Sequence, residues 1–174
     1  MGSVAGHEIT HGFDDRGSQY NEEGNLVDWW EPATKEKYDQ KAKCIIEQYG
    51  NFTVEVKGET FNVHGVNTLG ENIADNGGFK EAIRACGRWA SKHGPEPQLP
   101  RLPYTPRQLF WITGASFYCE ALRPQMLKYL VVADPHSPGM FRVNGPLMNY
   151  EEFAANWDCP LGSVMNPEHK CSVS

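Results

Sequence analysis

The chain has 174 residues, a formal charge of −6 and 40% hydrophobic residues, which suits one domain with a real core and is too little for two. With no basic run or stripe, the acidic balance argues against a phosphate-backbone reader, so no nucleic-acid partner is expected. No stretch approaches the roughly 20 apolar residues of a membrane span, and the opening "MGS" does not read as a natural leader, which leaves open that the chain is a piece of something longer.

The first element, "SVAGHEITHGFDD", reads as a short helix with Ser3 as its N-cap and with Gly12 and Gly17 marking its end and the loop beyond. A stronger helix follows in "EPATKEKYDQKAKCIIEQYG". Pro32 suits its first turn, Tyr38, Ala42, Ile45 and Tyr49 repeat at helical spacing, and Gly50 supplies a stop. "FTVEVKGETFNVHG" alternates apolar and polar residues on both sides of "KGE" and predicts a β-hairpin. A long helix is expected from "NTLGENIADNGG" to near Gly94, capped by Thr68. Its Gly77-Gly78 pair weakens it in water and so demands tight packing or a functional reason. After a Pro-rich connector, "TPRQLFWITGASFYCEALRP" opens on a Thr-Pro cap and is apolar almost all round, which predicts a buried helix. "DPHSPG" is turn chemistry, "NYEEFAANW" opens with a capping-box arrangement of Asn149 and Glu152, and the tail from Cys159 is irregular. The pattern is mainly α with one small hairpin, in a single domain.

One stretch carries chemistry. In "GHEITH", His7 and His11 stand four apart, on one face of a helix, where two imidazole nitrogens can address a common ion. Glu8 projects to the side, poorly placed as a ligand but well placed to reach a metal-bound water. Hydrolysis by zinc needs that division: protein ligands on three sides, water on the fourth, and a carboxylate to take its proton. The plain alternative is two surface histidines on an amphipathic helix. A third ligand decides between them, and "GENIAD" offers Glu71 and Asp75 on one helix face. Either acid completes a His₂-carboxylate set, with the other free to fix a histidine tautomer.

Five cysteines (Cys44, Cys86, Cys119, Cys159, Cys171) form no CxxC pair, and "NFT" at Asn51 is a glycosylation sequon. Together they point to an oxidising, extracellular setting. Among the aromatic residues, Tyr20, Trp29, Trp30, Phe110, Trp111 and Phe117 suit either a pocket for an apolar side chain or, more ordinarily, the core.

"GHEITHGFDD", "NTLGENIADNGGFKEA", "DPHSPGMFRVNGP" and "MNPEHKC", in that order, resemble the C-terminal part of the neprilysin and endothelin-converting-enzyme family of zinc metallopeptidases, from about Gly6 to Cys171. The resemblance implies a thermolysin-like zincin (gluzincin) catalytic subdomain that holds one Zn²⁺ through His7, His11 and Glu71. It implies that Glu8 is the general base and that Asp75 is the hydrogen-bond partner of a zinc histidine. By the same likeness, His136 bonds the oxyanion and Arg142 grips a substrate carbonyl. It implies peptide substrates, a Cys44–Cys171 disulfide, and Cys119 and Cys159 as positions that bond to cysteines elsewhere. Cys86, where relatives usually carry tyrosine, is expected to be a buried free thiol. Asp134, two residues before His136, is placed to orient that ring.

Members of that family are large ectodomains, usually behind a membrane anchor, with a region ahead of the zinc helix that supplies a lid and a substrate-aligning strand. Residues 1–174 are therefore expected to be the catalytic zinc-binding part without that region, marginal in stability and weak in peptidase activity alone. The family also tends to end in a tryptophan two residues after its last cysteine, where this chain reads "CSVS". The competing reading is a catalytically incompetent secreted fragment or pseudoenzyme that binds zinc or peptides without turnover. No feature of the sequence sets an oligomeric state.

Overall fold

The computed structural model describes residues 1–173. Seven helices and one hairpin run in the order α1 (Gly2–Thr10), α2 (Pro32–Gly50), β1 (Thr53–Val56), β2 (Glu59–Asn62), α3 (Leu69–His93), α4 (Pro106–Ser116), α5 (Pro124–Ala133), α6 (Gly139–Met148) and α7 (Glu151–Asn156). Two 3-10 turns, His11–Phe13 and Gly17–Gln19, join α1 to α2. The mainly α class with a two-stranded antiparallel sheet is as the sequence pattern suggests.

α2 forms for legible reasons. Glu31 accepts a bond from the Thr34 N–H, Pro32 occupies the first turn, and Tyr38, Ala42, Ile45 and Tyr49 make one buried stripe. That stripe meets Val54 and Val56 of the hairpin, Ile73 of α3, Val131 of α5 and Phe141 of α6 in the larger core. The hairpin turns at Lys57 and Gly58, both at positive φ, which gives the two-residue turn whose twist matches the strands. A smaller core gathers Phe79, Ile83, Trp111, Leu147 and Tyr150.

α3 is the central element, and its glycines explain how α1 reaches it. A Cβ on Gly78 would lie 2.3 Å from the Ser3 carbonyl, and one on Gly77 would lie 2.3 Å from Thr10 Oγ1. The Gly77-Gly78 pair therefore weakens the helix in isolation and lets α1 lie directly against it in the fold.

Several sequence expectations are corrected. Ser3 is not an N-cap: α1 begins at Gly2 after Met1. Thr68 stands at the cap of α3 without capping it, because its hydroxyl donates to the His64 carbonyl and accepts from the Asn72 amide. The Asn149–Glu152 capping box does not form. Asn149 instead pairs its amide with Gln48 and donates to Asn76, so α7 starts after Tyr150 with no side-chain cap. The expected long buried helix after Thr105 ends at Ser116, and only Trp111 in it is buried; the Thr105–Gln108 capping box sets its start. α5 and α6 were not expected from the sequence, since Pro124, Gly139 and an internal Pro146 mask their periodicity. Cys86 is exposed, not buried, because α3 leaves the core beyond Ile83. Among the aromatics, Trp111 is core, whereas Tyr20 (49%), Trp29 (46%) and Phe117 (67%) are exposed. No described helix is long and apolar enough to cross a membrane.

Candidate metal centre

The close approach of α1, and of the 3-10 turn that continues it from His11, to α3 brings their polar residues face to face. His7 Nε2 lies 3.0 Å from His11 Nε2 and 3.3 Å from Glu71 Oε2, and His11 Nε2 lies 3.6 Å from Glu71 Oε1. One donor atom from each of the three residues falls within 4.8 Å of the others. Zinc bound tetrahedrally by such ligands at about 2.0–2.1 Å keeps its donors about 3.3 Å apart, so the spacing suits it.

The far side of each ring strengthens the fit. His7 Nδ1 contacts Asp75 Oδ1 at 2.9 Å, off the line of a straight hydrogen bond. His11 Nδ1 meets Asp14 Oδ2 at 2.6 Å. With each Nδ1 turned to a carboxylate, each Nε2 is left with its lone pair, and two lone pairs beside Glu71 repel unless positive charge stands between them. In the absence of an ion the same acids favour positive charge on the His7 ring itself. Burial pulls the His7 pKa down, but contacts with Asp75 and Glu71 outweigh it and lift it to about 9. Burial pushes Glu71 up, while the His7 bond and the charges of His136, His11 and Arg142 carry it below the usual range. His7, His11 and Glu71 therefore form a candidate metal-binding group in surroundings that favour positive charge.

Asp75 is fully buried and heavily bonded. Arg142 donates to it through Nε (2.7 Å, to Oδ2) and Nη2 (3.0 Å, to Oδ1), and the Tyr118 hydroxyl donates to Oδ1 at 2.9 Å. Arg142 thus faces Asp75 in a two-pronged pair, reaches Glu71 Oε2 at 3.4 Å, and lies 5.0 Å from the centroid of the Tyr118 ring. Burial opposes its charge, but the Asp75 bonds win and hold its pKa above the ordinary value. Two of its nitrogens are committed within the protein; among the described residues no hydrogen bond reaches Nη1.

His136 sits on the rim with its side chain 45% exposed and Nε2 3.3 Å from Glu71 Oε2. The loop that carries it is fixed at three points. Asp134 Oδ1 accepts from the His136 backbone N–H and contacts its Nδ1, both at 2.8 Å. Ser137 donates to the buried Asn72, one residue after Glu71, and Asn67 donates to the Asp134 carbonyl. Glu8 is exposed, about 100° around α1 from the buried His7. Elsewhere, Cys44 and Cys171 are joined by a disulfide, Asn51 is exposed just past the end of α2, and Cys119 and Cys159 are free thiols.

Sequence reasoning missed Asp14. Its Oδ1 accepts from the backbone of Arg16 and Gly17, which aims Oδ2 at His11. The signal was in "HGFDD": a carboxylate three residues past a candidate ligand, on a chain that continues as a 3-10 turn. Tyr118 and the Asn72–Ser137 tie carried no comparable signal, since nothing local marks a residue that folds back from far along the chain.

The family model for peptidase family M13 matches residues 1–173. Neprilysin-2 of Drosophila melanogaster is 54% identical over 99% of the chain, which covers 22% of that protein, and endothelin-converting enzyme 1 of Bos taurus is 47% identical over the same shares. The zinc metalloprotease Zmp1 of Mycobacterium tuberculosis, solved with an inhibitor, superposes with a TM-score of 0.81 at 35% identity, covering 91% of this chain and 24% of that one. The chain thus spans about a fifth of the length of these curated relatives.

Proposed function

The chain belongs to peptidase family M13, and from that premise we propose that it is the zinc-binding catalytic part of a metalloendopeptidase that cleaves peptides. The observation that carries this is the convergence of His7 from α1, His11 from the 3-10 turn that continues it and Glu71 from α3, with the two imidazole Nε2 atoms 3.0 Å apart beside the Glu71 carboxylate. These residues would hold one Zn²⁺. When bound, the ion supplies Lewis acidity toward a scissile carbonyl and lowers the pKa of a water to near neutrality.

Around it, each residue has a separate task. Glu8 takes a proton from the attacking water and returns it to the leaving amine. His136, oriented through Nδ1 by Asp134, presents Nε2 as a donor to the carbonyl oxygen as negative charge develops there. Asp75 and Asp14 hold His7 and His11 in the tautomer that leaves Nε2 free. Arg142, anchored on Asp75, offers its remaining nitrogen to a substrate carbonyl. The disulfide and the exposed Asn51 sequon support an extracellular setting, with Asn51 as a glycan acceptor.

The competing reading, a chain that binds zinc without turnover, is supported by the free Cys119 and Cys159. Zinc-loaded chain incubated with an internally quenched peptide separates them. Cleavage reduced about 10²–10⁴-fold in Glu8→Gln, with zinc content unchanged, supports the catalytic assignment. Zinc retention with no Glu8-dependent cleavage supports the competing reading.

A further inference from the structure

Metal-ligating side chains converge in one other place, where the C-terminal tail meets α2. There Cys44 is bonded to Cys171, and His169 Nε2 lies 3.3 Å from Cys44 Sγ. The two sulfurs and the imidazole nitrogen all fall within 4.8 Å of one another. A tetrahedral zinc keeps a thiolate sulfur and an imidazole nitrogen about 3.6 Å apart, close to the spacing already present.

The tail does not depend on the disulfide alone for its position. The Cys171 backbone N–H donates to Asn149 Oδ1 at 3.0 Å, and Asn149 forms a two-way amide pair with Gln48, one turn after Cys44 on α2. Lys170 Nζ donates to the Met148 carbonyl and to Asn166 Oδ1. Cys44 is fixed from its own side by the buried α2 stripe around Ile45. Cutting the sulfur–sulfur bond therefore leaves both cysteines facing each other. His169 is exposed and Cys44 half-buried, which gives an ion a way in.

We propose that reduction of the Cys44–Cys171 bond converts this anchor into a Cys₂His site for one thiophilic cation of the Zn²⁺ class, separate from the His7–His11–Glu71 centre. The conversion balances with a phosphine as reductant. The phosphine is oxidised to its oxide with the oxygen of one water, the disulfide takes two electrons and two protons to give two thiols, and cation binding then releases both thiol protons. The cation replaces the covalent tie and holds the tail against α2 in the reduced protein.

The test uses the full chain carrying Cys86→Ser, Cys119→Ser and Cys159→Ser, so that no other thiol contributes, with Co²⁺ as the spectroscopic probe. Phosphine-reduced protein is expected to take up an additional equivalent of Co²⁺ over the oxidised form and to show near-ultraviolet thiolate-to-cobalt absorption. His169→Ala weakens that uptake by more than about tenfold, and Glu71→Gln leaves the thiolate band in place. Circular dichroism of oxidised His169→Ala, matching the unsubstituted protein, attributes the loss to the ligand and not to the fold. Equal Co²⁺ uptake by oxidised and reduced protein, or a thiolate band indifferent to His169→Ala, overturns the proposal.

Discussion

Where α1 lies against α3, His7, Thr10, Asp14, Asn72, Asp75 and Asn76 are buried, while along α4 and α5 Phe117 is 67% exposed, Val132 59%, Tyr129 56% and Met126 50%. The two regions invert the ordinary relation between polarity and burial. On the α1–α3 side nearly every buried polar group is answered by a partner, and the Gly77-Gly78 pair gives the helices room to bring those groups together. On the α4–α5 side, each helix fully buries one residue, Trp111 or Val131, packs Phe110 or Leu127 partly against a core, and leaves Ile112, Met126, Tyr129 and Val132 exposed. A dense network of buried polar atoms is typical of functional sites, and exposed apolar side chains are typical of contact surfaces.

The strongest way to break the comparison is to leave a buried charge alone. Asp75→Ala strips Arg142 of its carboxylate partner, and denaturant unfolding is expected to show a loss of about 3–5 kcal/mol. Gly78→Ala tests the close approach itself. A methyl there meets the Ser3 carbonyl, so unfolding should show a loss of about 1–3 kcal/mol together with weaker zinc retention in a chelator competition. Asp14→Asn leaves the helices in place and disturbs only the ring of His11. Zinc affinity should fall about 10–100-fold with little change in the unfolding midpoint. On the other region, Phe117→Ser and Tyr129→Ser should change the unfolding free energy by no more than about 0.5 kcal/mol, while light scattering reports less self-association.

The same contrast explains what the sequence made legible. The α2 stripe, the hairpin and the His7–His11 pair are local patterns: apolar spacing, a Lys-Gly turn between alternating runs, two histidines four apart. Glu71 and Asp75 were legible as a pair, but which one faces the His7 and His11 Nε2 atoms depends on how α3 is rotated against α1, and that is set by glycines whose contacts lie some seventy residues apart. The roles for Arg142 and His136 came from family resemblance, because nothing near either residue marks it. The failures have the same origin. Asn149 was read as a cap from its neighbours, yet its amide is used by Gln48 and Asn76 from distant helices. The apolar run of α4 was read as buried, yet hydrophobicity alone does not supply the surface that would cover it.

The most direct test of the account is the zinc content of the oxidised chain, measured by elemental analysis after dialysis, beside His7→Ala and Glu71→Gln. One equivalent per native chain, lost in both variants while their circular dichroism is retained, is the result expected from a centre built by α1 and α3 together. Native chain without bound zinc, or a full equivalent kept by Glu71→Gln, would contradict it.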